Sequence, residues 1–256
     1  MSGALASFMA MAISGRELAS ELSTFQILFF RSLVGLAVIA ALLQRAGWQR
    51  IRTRDFGLHL LRNVTHFGGQ YGWFTGLALI PLTEVFAIEF TMPIWTAILA
   101  AIMLGERMNR LRSLAVAIGF VGILVVLRPG VASVSPGALA VLAAAFAYAL
   151  SHILTKRLSG TDTPIAILFY MTTIQLPLGL IPALPGWVWP SAGAWPWVAL
   201  VATTALSAHY CLARALQLAD ASFVVPLDFL RLPLIAVVGL VIYGEPLNAW
   251  VLVGAA

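Results

Sequence analysis

The chain has 256 residues, of which 61% are hydrophobic and only 10% charged, with a mean hydropathy of +0.96. A soluble domain of this length carries about a quarter charged residues, so the composition excludes a water-covered surface and points to a polytopic α-helical membrane protein. The net charge of +5 and pI near 10.0 do not signal a nucleic-acid binder, because the basic residues fall in short clusters between apolar runs, as topology signals do.

Spans are predicted at 2–14, 25–43, 56–79, 83–104, 111–127, 136–155, 164–184, 194–216, 222–243 and 247–256. About 20 apolar residues are needed to cross a bilayer, so the first is short. The tenth begins but does not finish, which would make the sequence a piece of a slightly longer protein. No basic stretch precedes the first apolar run, which argues against a cleaved signal peptide. Arg45, Arg50, Arg52 and Arg54 follow the second span, Arg107, Arg110 and Arg112 the fourth, and Lys156 and Arg157 the sixth. These loops share one side, and the opposite side carries only Arg16 and Arg128. The positive-inside rule then places both termini in the cytoplasm of a multi-pass protein of the inner membrane. Trp187, Trp189, Trp195 and Trp197 read as an aromatic belt at the outer interface. The single cysteine, Cys211, sits in an apolar run and reads as a packing residue, with no disulfide or metal-ligand spacing.

Self-similarity recurs at an offset of 139. Gly105-Glu106 matches Gly244-Glu245, Tyr71 matches Tyr210, Leu77 and Leu79 match Leu216 and Leu218, and Glu89-Phe90 matches Asp228-Phe229. One repeat covers five helices. An odd number turns the second copy over, so two inverted repeats, 1–127 and 136–256, are expected around a pseudo-two-fold axis in the membrane plane, with the substrate site at their interface.

Phe25-Gln26-Ile27-Leu28-Phe29-Phe30-Arg31-Ser32, Pro81-Leu82-Thr83-Glu84, Leu104-Gly105-Glu106-Arg107 and the repeated Gly244-Glu245-Pro246 resemble the EamA-type carriers of the drug/metabolite transporter superfamily. The resemblance spans essentially the whole chain. It implies a ten-helix secondary transporter that exports or exchanges small solutes such as amino acids, nucleotide-like metabolites or drugs.

Ionisable side chains within spans are expensive and usually face a partner or a cavity. Arg31, Glu89, Asp228 and Arg231 are the four well inside, and their formal charges sum to zero. They are expected either to border a polar cavity that binds substrate or a coupling proton, or to form structural ion pairs. Pro93, Pro226 and Pro233 are expected to break the helices beside them. His66, Gln70, Tyr71 and Trp73 on span 3, mirrored by His209 and Tyr210 on span 8, are further candidates for lining the pathway. The stripe Gly68, Gly72 and Gly76 should let another helix approach closely. Arg62 and Arg214 are expected to snorkel to the interface, and Glu84 to sit as a charge at a helix N-terminus.

No phosphate loop, dinucleotide fingerprint, H-E-x-x-H or G-x-S-x-G motif is present. The sequence therefore calls for no catalytic residues, no metal and no cofactor. Its expected partners are the lipid bilayer and a small-molecule substrate coupled to a proton or a counter-substrate, with no nucleic acid. A non-transporting membrane assembly subunit and a membrane-embedded enzyme are the alternatives.

Overall fold

The computed structural model describes residues 2–105, 110–127, 135–219, 224 and 231–246, and the described residues contain helices and loops but no strand. The helices are α1 (Ser2–Leu18), α2 (Thr24–Ala46), α3 (Phe56–Leu79), α4 (Leu82–Glu89), α5 (Met92–Leu104), α6 (Arg110–Leu127), α7 (Pro136–Leu158), α8 (Pro164–Ala183), α9 (Trp195–Leu218) and α10 (Arg231–Tyr243). Among the described residues, five stretches are long and apolar enough to cross a bilayer: Thr24–Ala46, Leu82–Leu104, Pro136–Leu158, Pro164–Gly186 and Trp195–Leu218. This is the structure of a multi-pass helical membrane protein. Residues 222–223 and 225–230 of the ninth expected span and all of the tenth lie outside the described residues.

Local chemistry sets the helix ends. Ser23 and Gln26 form a reciprocal capping box at the start of α2. Ser135 and Thr163 cap α7 and α8 through their hydroxyls, each followed by proline at the first helical position. Gly105 and Gly244, a repeat pair in the sequence, both take left-handed backbone (φ 69° and 63°) just past a helix end, a conformation that a β-carbon would strain. The expected break in the fourth span is real. It falls at Phe90-Thr91, and Pro93 occupies the first turn of α5, where its missing N–H costs nothing. The first helix extends four residues beyond the predicted end at residue 14, to Leu18.

The main packing pairs are α3 with α7, α1 with α9 and α2 with α8, followed by α5 with α7; α4 packs on both α7 and α10. The seam between α3 and α7 is built on small residues. A β-carbon on Gly72 would lie 2.5 Å from the Ala140 carbonyl oxygen, and one on Gly76 would lie 2.2 Å from Val141 Cγ2. Gly68, expected in the same stripe, meets nothing within 4 Å, and Gly69 instead abuts the Tyr148 ring. The α2–α8 crossing relies on Gly179, whose β-carbon would strike the Phe29 backbone at 2.8 Å.

Candidate functional site

The break after α4 leaves Glu89 as the last residue of a helix in mid-bundle, only 5% exposed. Its Oε2 accepts from Trp73 Nε1 at 2.7 Å, and its Oε1 accepts from Arg231 Nη2 at 3.3 Å. Arg231, at the first turn of α10, is itself 1% exposed. Its guanidinium lies over the rings of Phe8 (4.7 Å), Phe86 (5.2 Å) and Phe90 (5.8 Å). A desolvated cation gains from such faces as well as from its carboxylate.

This pair forms one wall of a small internal cavity. His66, Gln70 and Trp73 of α3 and Tyr148 and His152 of α7 line it, with His209 of α9 opposite. Phe8 and Met11 of α1 and Met92 of α5 complete the apolar lining. His66 and His209 meet edge to face with ring centroids 4.7 Å apart. Space for the centre of a water-sized sphere amounts to about 20 Å³, enough for a single water. A larger solute could enter only after the helices part.

A polar seam continues from the cavity along α3, where His59, Asn63, His66, Gln70 and Trp73 recur at spacings of four and three on one buried face. Gln70, its amide oriented by its neighbours, accepts from Arg31 Nη1 and Nη2 at 2.5 Å each and donates to Gln175 Oε1 at 3.0 Å. Gln175 Nε2 lies 2.9 Å from His66 Nδ1 and donates to Asn63 Oδ1 at 3.4 Å. Asn63 in turn accepts from Arg62 Nη1 at 2.7 Å. The seam ends at a fully buried His59 paired with Asp162 at 2.7 Å.

Both ends of the bundle are tied by a cation that reaches helix-terminal carbonyls. At one end Arg16 donates to the carbonyls of Leu77 and Ile80 and pairs with Glu245 at 3.1 Å, while Glu245 also accepts from the Leu82 N–H at 2.8 Å. At the other end Lys156 Nζ donates to the carbonyls of Leu216 (2.9 Å) and Ala219 (3.0 Å).

Of the candidates read from the sequence, His66, Gln70, Trp73, Glu89, His209 and Arg231 converge on the cavity, and Arg31 touches it through Gln70. Tyr71 and Tyr210 do not. They are 39% and 43% exposed on the bundle exterior, and Tyr71 stacks on Phe25. Successive residues of a helix lie about 100° apart, so the neighbours of Gln70 and His209 are turned away from what those residues face. Asp228 lies outside the described residues. Arg62 does not snorkel; it is 2% exposed and donates to Thr155 and Asn63. Arg214 is exposed and donates to Gln217.

Tyr148 and His152 are functional candidates that the sequence reading missed. Their spacing of four on an otherwise alanine-rich helix is the signal that could have found them.

A riboflavin transporter of Vibrio cholerae serotype O1 is 32% identical over 229 residues, covering 87% of this chain and 76% of its own. An S-adenosylmethionine uptake transporter of Rickettsia prowazekii is 25% identical over 91% of this chain and 79% of its own. A riboflavin transporter of Rhizobium johnstonii is 30% identical over 84% and 71%. A crystal structure at 19% identity superposes with a TM-score of 0.72 over 100% of this chain and 95% of its own, a likeness of fold alone. The EamA-like transporter family matches twice, at residues 1–128 and 135–256. The chain belongs to that family and is a membrane transporter of a small metabolite.

Proposed function

We propose that the chain moves a metabolite with a flat heteroaromatic part across the cytoplasmic membrane by alternating access around the Glu89–Arg231 cavity. The observation that carries this reading is the cavity itself. It combines an ion pair with the rings of His66, His152, His209, Tyr148, Trp73 and Phe8 in one lining. Flat rings stack on such surfaces, and a few placed polar groups set the orientation. Riboflavin and S-adenosylmethionine, named for the relatives, both carry fused nitrogen heterocycles, and both are therefore the first substrates to try.

Ten spans in two inverted five-helix repeats frame the site in this reading. The helix pairing supports it: exchanging the first half for the second turns the α1–α9 pair into the α3–α7 pair and returns the α2–α8 pair to itself. The terminal cations support it too. Arg16 reaches the carbonyls of residues 77 and 80, and Lys156 reaches those of 216 and 219, the same positions shifted by 139, at opposite ends of the bundle. The Lys156 end gathers the basic loops and is the cytoplasmic one, with both termini on that side. Energy comes from a coupled proton or a counter-substrate.

Proteoliposome flux tests the proposal. A carrier accumulates labelled riboflavin or S-adenosylmethionine by counterflow against the same unlabelled solute, saturably, and Glu89→Gln abolishes it in protein that still folds. Wild-type flux in that variant would remove the site, a scaffold subunit would show no flux, and an enzyme would return an altered solute.

A further inference from the structure

Among the described residues the buried charges are not balanced. Arg231 has Glu89, and Asp162 has His59. Arg31 and Arg62, 3% and 2% exposed, have no carboxylate within ion-pair distance among the described residues. They are joined instead through three neutral amides, Gln70, Gln175 and Asn63. Guanidinium groups stay charged at any physiological pH. Two of them inside a bilayer-spanning bundle, answered only by amides and a threonine hydroxyl, incur a desolvation cost that the fold itself does not offset.

The geometry at Arg31 shows what would offset it. Both terminal nitrogens converge on the single Gln70 oxygen at 2.5 Å. A carboxylate or phosphate would offer each nitrogen an oxygen of its own, the paired contact that a guanidinium's fork makes to an oxyanion; here both share one neutral oxygen, on a side chain that also lines the cavity. We propose that Arg31 is an oxyanion site of the transport cavity, with Gln70 as the group that gives way and Arg62 adding positive potential from the far end of the amide chain. This rests on the transport reading above and narrows the substrate class: the carried solute, or a small anion that travels with it, bears a carboxylate or phosphate.

Riboflavin and riboflavin 5′-phosphate differ by the anion alone, so the pair isolates the site. Thermal shift and equilibrium binding on the purified full chain in nanodiscs, at low ionic strength, should show the phosphorylated flavin binding at least about tenfold tighter, the value of one charge-assisted pair. Arg31→Gln should bring the ratio of the two affinities towards one, and the surface variant Arg214→Gln should not change it. Arg31→Lys keeps the charge without the fork and should retain part of the preference. Without ligand, Arg31→Gln should melt no lower than wild type, because it removes an unanswered charge; a structural arginine would cost stability.

Equal affinity for the two flavins in wild type, or an unchanged ratio in Arg31→Gln, overturns the proposal. If neither flavin binds, the heteroaromatic reading fails separately, and inorganic phosphate decides. Stabilisation of wild type and not of Arg31→Gln supports a site for a small free anion, and no stabilisation of either sinks it.

Discussion

The seam between α3 and α7 permits a sharp test. Gly72→Ala places a β-carbon 2.5 Å from the Ala140 carbonyl oxygen and 3.3 Å from Ala144 Cβ. Ordinary contact between such atoms begins near 3.4 Å, so the new carbon overlaps a backbone atom that has no rotamer by which to retreat. The two helices must separate along their length or tilt. Overpacking of this kind costs about 1–3 kcal/mol, which lowers Tm by roughly 2–12 °C for a chain of this size. Gly68→Ala is the internal control, since nothing lies within 4 Å of its β-carbon. The helix propensity of alanine favours both substitutions equally, by up to about 1 kcal/mol, so the difference between them isolates the contact. Tryptophan-fluorescence melting of the purified protein is the assay. Equal melting temperatures for the two variants would refute the close approach of α3 to α7.

Glu89→Gln should lose transport while the protein stays folded, because it removes the carboxylate that the Trp73 and Arg231 donors share in the cavity wall, as read by melting and counterflow. Glu245→Gln should loosen the Arg16 end. In a Cys211→Ala background, a cysteine replacing the cavity residue Met11 should then react several-fold faster with a membrane-impermeant maleimide added from outside. Asp162→Asn should weaken the buried bond to His59 and lower stability by about 1–3 kcal/mol, measured as a fall in Tm, with flux retained.

Much of this organisation was legible in the chain. The break near Pro93 followed from proline's missing N–H, and the meeting of Glu89 with Arg231 from the rule that bilayer-buried charges seek partners. Features that depend on angle around a helix were not. Tyr71 and Tyr210 were grouped with their neighbours because a linear reading ignores that adjacent residues diverge by about 100°. Arg62 looked like a snorkelling residue from its position near a helix end, yet the packing of α7 and α8 against α3 closes the route to the interface. His59 and Asp162 are 103 residues apart, and their pairing depends on tertiary contacts that no local pattern encodes. That no carboxylate among the described residues stands beside Arg31 could not be read either, because the four charges in the spans sum to zero on paper.

The rings that box in Arg231 have a mechanical consequence. A guanidinium resting on Phe8, Phe86 and Phe90 is not on a free tether that could swing aside with a passing solute. It is a fixed stud at the foot of α10, and its partner Glu89 is another at the tip of α4. If the two halves rock as proposed, this joint is the natural pivot, and the Arg16 and Lys156 latches at the two rims are the contacts that would have to part.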